Sequence, residues 1–232
     1  MSYYKDTNLI IRRMQEPDPQ IFSDEECRQG WKASPEKYKR RIADEQKGIA
    51  AALTAEYKGV TLIENPYWDS CNNIASLYVA REQLENAMIL DGDQIIYKKE
   101  ILAPEFTHSG YNAVWTDEKT DEWLMQVKDG IVCSCSRTGG KGGWQLFSVS
   151  RWNREDGKRL KRHLELEFEK KQNRQIYWDD VAMFCHFEEY ELGIYPMQEG
   201  DLIEIDDFSE LCDLDPSYCG YEAQGQEKSE EK

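Results

Sequence analysis

The sequence predicts an α/β protein, a mixed sheet flanked by helices and preceded by a small strand–helix–helix–strand segment. Three observations carry this. Short runs rich in β-branched and aromatic residues, such as VTLIENP (60–66), YNAVW (111–115) and IVCSC (131–135), alternate with turn residues. A long charged stretch after Asn153 keeps Leu160, Leu164 and Phe168 at helical spacing. MILDGDQII (88–96) carries an apolar run up to two aspartates flanking a glycine, as strands do where they end at the ligand-binding rim of an open α/β sheet.

The elements follow in order. NLIIRRM (8–14) reads as a strand, and residues 19–32 and 34–47 as charged helices, with Pro35 just after the N-cap Ser34. IAAALTAEY (49–57) reads as a strand or short apolar helix, and Lys58-Gly59 as a turn. VTLIENP is a strand. Asn72 and Asn73 are placed to cap a helix bearing Ile74, Leu77, Tyr78 and Leu84. MILDGDQII reads as strand, glycine corner, strand. YNAVW, EWLMQV (122–127) and IVCSC are strands, with Asp129-Gly130 as a hairpin turn. SRTGGKGG (136–143) reads as a flexible loop, WQLFSVS (144–150) as a strand, and YWDDVAMF (177–184) as a helix start. YELGIYPM (190–197) and LIEID (202–206) close the sheet, and residues 223–232 read as a disordered acidic tail.

Composition narrows the function. The 232 residues, 40% of them hydrophobic, suffice for one sizeable core or a core with a small lobe. With 29 Lys and Arg against 45 Asp and Glu, the net charge of −16 excludes non-specific binding to nucleic acid and insertion among anionic lipids. It leaves room for a nucleotide held by metal ions and local cations. No run approaches the roughly 20 apolar residues of a membrane helix, and MSYYKDTNLIIRRM lacks the apolar core of a secretory leader. The seven cysteines are scattered with no C-x-x-C. A cytoplasmic protein with reduced thiols is the expectation.

Asp93 and Asp206 each end a predicted strand, and two hard carboxylates at one sheet rim suit Mg²⁺; turn formation is the competing reading. Trp123, Trp152, Tyr177 and Trp178 include two with acidic neighbours, Glu122 and Asp179. Aromatic faces beside carboxylates suit a quaternary ammonium, with core packing as the alternative. His108, His163 and His186 show no metal-ligand spacing, and His163 reads as a surface residue of the charged helix. The G-G-K-G-G of residues 139–143 lacks a phosphate-loop pattern and reads as a hairpin loop.

Five blocks in order, CNNIASLYVAREQLENAMILDGDQII, DEWLMQV, FSVSRWN, IYWDDV and LIEIDDFSEL, resemble the choline-phosphate cytidylyltransferases, within the sugar-nucleotide-type nucleotidyltransferases, over about residues 59–215. The resemblance implies a Rossmann-like mixed sheet, mostly parallel with helices on both faces, and transfer of CMP from CTP to phosphocholine or a related small amine phosphate, with Mg²⁺ as cofactor. It implies Asp93 and Asp206 as catalytic metal ligands, with Glu204 beside the second. It implies Asn73 near the nucleotide, and Trp123, Trp152, Tyr177 and Asp179 around the choline. The family's opening strand and glycine-rich loop, roughly G-x-G-x-R, have no counterpart in residues 1–58, which hold only Gly30 and Gly48.

That opening resembles instead the start of a GNAT acetyltransferase, in NLIIRRMQEPD, the two charged helices and IAAALTAEYKG, without that family's later Q/R-x-x-G-x-G/A loop. The expected organisation is a GNAT-like fragment (1–58), a nucleotidyltransferase-like domain lacking its glycine-rich loop (59–222) and a tail (223–232), as in a fused or truncated product. Catalytic competence is therefore the open point. The alternatives are a non-catalytic choline- or nucleotide-binding remnant, an interaction module or, more weakly, an acetyltransferase.

Overall fold

The computed structural model describes residues 61–68, 70–205 and 208–216. They fall into two units: one spans 63–204, and the other takes in residues up to 62 and from 205 onward. The elements expected within 8–57, the tail and Asp206 lie outside the described residues.

The 63–204 unit is built on eight strands: β1 (Ala87–Ile89), β2 (Gln94–Ile96), β3 (Gly110–Thr120), β4 (Leu124–Lys128), β5 (Ile131–Ser136), β6 (Gly140–Trp152), β7 (Gly193–Met197) and β8 (Leu202–Glu204). Six form one sheet in the order β1-β6-β3-β7-β5-β4. β4 also pairs with β6, so the pairings β6–β3–β7–β5–β4 return to β6. Strands β3 and β7 are parallel, from Gly110↔Gly193 to Val114↔Met197, and the other pairings are antiparallel. β2 and β8 form a separate antiparallel ribbon with Gln94 opposite Glu204. Helices α1 (Ile74–Val79) and α2 (Arg154–Glu165) complete the unit; α3 (Phe208–Leu214) belongs to the other. The mixed α/β sheet with its helices is the expected fold class, but among the described residues β3–β7 is the one parallel pairing, where the family resemblance implied a mostly parallel sheet.

Local chemistry explains the main corners. Asp129 and Gly130, both at positive φ (53° and 83°), close the β4–β5 hairpin as its sequence predicts. The Asn153 side chain accepts from Asp156 N at 2.9 Å, capping α2, and Asp156 puts a carboxylate in the first turn. Past Glu165 the helix widens into a π-helical turn, Leu166–Lys170, which buries both Glu167 and Phe168. The core is one cluster around Tyr111, Met125, Trp152, Leu160, Leu164 and Val181, with a smaller one of Ile101, Val149, Met197 and Leu202.

Several expectations change. Residues 61–65 form no strand; Leu62 (44%) and Ile63 (43%) stay exposed, with no pairing strand among the described residues. MILDGDQII does turn at its glycine, but β1 and β2 part there and join different sheets. The G-G-K-G-G segment is mostly strand: Gly140 to Gly143 extend β6 and pair with β3, leaving a short turn before them. A Cβ on Gly143 would lie 2.8 Å from Leu124 and Gln126 side-chain atoms, so the strand here needs glycine. Asn73 sits at the α1 N-cap without a side-chain capping bond. His163 is buried, because the helical face it shares with Leu160 turns inward. YWDDVAMF does start a helix, at Asp179 and Asp180, but it continues as a π-helical turn, Val181–Cys185.

Helix α2 lies so close to the chain at Leu84 that a Cβ on Gly157 would sit 2.1 Å from the Leu84 carbonyl oxygen. Gly157→Ala should therefore lose about 1–3 kcal/mol by overpacking, although alanine is the better helix former by about 1 kcal/mol. Gly92→Ala, where a Cβ meets nothing within 4 Å, should stay within about 0.5 kcal/mol. Urea midpoints at constant slope distinguish the two.

Candidate functional site

The register of β1 on β6 sets the first half of the site. Ile89 pairs with Ser150. Two residues further in each direction stand Asp91 and Ser148. The Ser148 hydroxyl donates to Asp179 Oδ2 at 3.3 Å and also serves Asp91. Trp178 Nε1 donates to Asp91 Oδ1 at 3.4 Å. Asp91 and Asp179 thus flank one serine.

Both acids are pushed upward. Burial raises Asp91, against the Trp178 and Ser148 hydrogen bonds that favour its ionised form, and Asp93 adds repulsion. Asp179 is buried; desolvation and then the Asp91 charge hold it well above the carboxylate range. Asp179 Oδ1 and the Tyr111 hydroxyl are both sealed from solvent without completing a hydrogen bond, although the hydroxyl lies near enough to oppose the shift.

The second half is an aromatic group closed by an ion pair. Trp123 meets Phe184 edge-on at 5.1 Å and Tyr177 at 6.1 Å between ring centres. The Arg137 guanidinium lies 3.6 Å from the Phe184 ring centre and 5.9 Å from that of Trp123. Both its Nε (2.8 Å) and one terminal nitrogen (2.5 Å) donate to Asp180 Oδ1. Asp180 is buried, and its other oxygen accepts from Tyr177 N at 2.9 Å. A cation is held between aromatic faces and a buried carboxylate, with Tyr177 half open to solvent.

The expected site residues divide as follows. Trp123 and Tyr177 share the aromatic group, and Asp179 joins Asp91. Asn73 Oδ1 accepts from Trp178 N at 2.9 Å, which ties the start of α1 to the same segment. Trp152 is fully buried behind them, edge-on to Tyr111, Trp178 and Tyr190, with its Nε1 on Ser150 Oγ. Asp93 is exposed at the turn into β2. Glu204, opposite Gln94, accepts from Gln94 Nε2 at 2.8 Å. Sequence reasoning passed over Asp91, Ser148, Asp180, Phe184 and Arg137. Asp91 and Asp180 are the unchosen members of the D-G-D and D-D pairs, whereas nothing in its local sequence marks Arg137.

Because the folded carboxyl of Asp179 titrates above its unfolded value, its contribution to stability is full below about pH 4 and declines as pH rises toward the folded value. Each pH unit in that window costs about 1.4 kcal/mol. Asp179→Asn removes that loss. Its melting temperature, relative to the unaltered protein, should climb as pH rises from about 4 through the window up to the raised folded value in calorimetric scans; a constant difference would contradict the assignment.

No protein-family model matches the chain. It is 29% identical over 168 residues to a 2-aminoethylphosphonate cytidylyltransferase of Lancefieldella rimae, covering 72% of this chain and 68% of that one. It is 24% identical over 151 residues to a choline-phosphate cytidylyltransferase of Streptococcus pneumoniae, covering 65% of each. The solved structure of a CTP:phosphocholine cytidylyltransferase from Streptococcus pneumoniae matches with a TM-score of 0.66 and 24% identity over 73% of both chains. The matched stretch is thus about two thirds of these curated relatives' length. The acetyltransferase resemblance of residues 1–58 receives no support from these matches, which are to cytidylyltransferases. The relatives of this chain are cytidylyltransferases, and its sheet has the nucleotidyltransferase fold.

Proposed function

We propose that the chain is a cytidylyltransferase-type protein whose aromatic group receives the cationic head of a small amine phosphate or phosphonate. The observation that carries this is the Arg137 guanidinium held among Phe184, Trp123 and the buried Asp180. A pocket that stabilises one delocalised cation by ring faces and a carboxylate has the chemistry to hold another. A trimethylammonium donates no ordinary hydrogen bond, so ring faces and negative charge are what it uses. Phosphocholine is the leading substrate. The Lancefieldella rimae relative makes a primary aminophosphonate the close alternative.

In the proposed reaction a phosphate oxygen of the substrate attacks the α-phosphorus of CTP. The bond from that phosphorus to the oxygen bridging toward the β-phosphate breaks, and pyrophosphate departs with the electron pair. The nucleophile is already anionic, so positioning and charge stabilisation carry the catalysis. Asp93 suits the expected Mg²⁺: its carboxylate is exposed, an oxygen donor, and close to a second acid, Asp91. The ion would supply neutralisation of charge on the phosphates. Trp123, Tyr177 and Asp180 would bind the amine; Asp179, Ser148 and Trp152 hold the wall behind it; Asn73 positions Trp178.

Two experiments test this. Pyrophosphate release should require CTP, phosphocholine and magnesium together, and Asp93→Asn should reduce it about 100-fold or more. Choline binding with no turnover would select the non-catalytic remnant instead. Trp123→Ala should raise KM for the amine substrate about 2- to 30-fold, the equivalent of a cation–π contact of about 0.5–2 kcal/mol, with little change in kcat or in KM for CTP. Equal losses for both substrates would remove Trp123 from the amine site.

A further inference from the structure

A second cluster lies away from these residues, where the end of α2 meets the chain after Val181–Cys185. His163 and His186 stack with ring centres 3.7 Å apart and planes within 8°. The Glu189 carboxylate spans both: Oε2 lies 3.3 Å from His163 Nε2, and Oε1 lies 3.3 Å from His186 Nδ1. One donor atom from each of the three residues falls within 4.8 Å of the others.

The remaining ring nitrogens are already engaged. His163 Nδ1 is 2.8 Å from the Tyr190 hydroxyl, and His186 Nε2 is 2.8 Å from Glu167 Oε1. Glu167 is buried and fixed in turn by Lys171 Nζ at 2.6 Å and Asn173 Nδ2 at 3.2 Å. A carboxylate or hydroxyl on the far nitrogen of each imidazole is the outer support that orients metal-ligating histidines. Because Glu167 accepts from His186 Nε2–H, the lone pair of a neutral His186 sits on Nδ1, toward Glu189. Glu189 is half exposed, which leaves a solvent side open.

We propose that His163, His186 and Glu189 bind one divalent transition-metal ion of the zinc class, with water completing a four-coordinate shell. Two imidazoles and a carboxylate are a zinc-type donor set. Bonds of about 2.0–2.1 Å to both nitrogens require the parallel rings to tilt toward each other, and the exposed Glu189 is free to follow. To ligate through Nε2, neutral His163 carries its proton on Nδ1 and donates it to the Tyr190 hydroxyl oxygen, as His186 donates Nε2–H to Glu167, so each ring offers a lone pair and keeps its proton. The bound ion clamps the end of α2 to the segment that also carries Asp179 and Asp180. It is a structural staple, independent of the reading of the aromatic site.

The test uses the full chain freed of metal by chelation. Zn²⁺ titrated by calorimetry should bind at one equivalent per chain and raise the melting temperature by several degrees. Co²⁺ should give the visible absorption of a tetrahedral site, and the resonances of His163 and His186 should shift as the stack opens. Glu189→Gln, a change at a half-exposed side chain, should weaken Zn²⁺ binding at least 10-fold while the metal-free protein stays folded. Glu167→Gln, which touches His186 but no ligand atom of the ion and also alters the Lys171 and Asn173 contacts, should weaken it about 10- to 100-fold in the folded protein. No saturable binding by the folded chain would overturn the proposal, as would affinity unchanged in Glu189→Gln, which would make the ion adventitious.

Discussion

Strand β6 is the constraint on which the rest depends. It pairs with β3 along its length, with β1 over Ser150–Trp152 and with β4 at Trp144 and Gln145. Its backbone is thus paired on both sides just before and just after the register shift that carries Ser148 and Val149, and buried backbone groups without partners are too costly to leave. Its side chains consequently arrive at fixed places. Ser148 reaches Asp91 and Asp179, Ser150 takes the indole of Trp152, and Asn153, the next residue, caps α2. A slip of one residue in this strand would exchange its faces and separate the serine from both acids.

The electrostatics follow from that placement. In a chain of net charge −16, aspartates 91, 93, 179 and 180 gather near one region, and Asp91 and Asp179 bear the cost of burial and of their acidic neighbours. Two solutions are visible. Asp179 is driven toward its neutral form by burial and the adjacent charge, while Asp180 stays paired with Arg137. Only the carboxylate of this pair is buried; Arg137 is half exposed, so solvent screens the pair from one side. Its clearest effect is positional: it fixes the guanidinium against the Phe184 ring.

Much of the fold was legible because its signals were local. The Asp129-Gly130 hairpin, the Asn153 cap and the inward stripe of Leu160, Leu164 and Phe168 each depend on residues a few positions apart. The misreadings were of features set by distant partners. Gly140 to Gly143 looked like a loop by composition, yet β3 supplies the pairing that makes them strand. His163 looked like a surface residue on a charged helix, yet it faces His186, 23 positions later. In the site, the aromatic and acidic blocks were readable as pairs, but which aspartate of D-G-D enters the buried side is decided by the β1–β6 register, and Arg137 comes from a turn with no motif of its own.

The segment 176–190 joins these observations. In sequence it begins with the aromatic and acidic residues Tyr177 to Asp180 and ends with His186, Glu189 and Tyr190. Beyond two α-helical residues, Asp179 and Asp180, it runs as a π-helical and a 3-10 turn, whose local backbone bonds, such as His186 N to Val181 O at 3.1 Å, set its shape but not its place. What fixes it are side chains at each end: Asn73 on Trp178 N and Arg137 on Asp180 at one, Glu167 and the histidine stack at the other. An irregular segment held at both ends by polar contacts keeps its side chains in register only while both anchors hold. The position of the cation-holding rings is thus tied to the histidine cluster through the chain itself, without any direct contact between them.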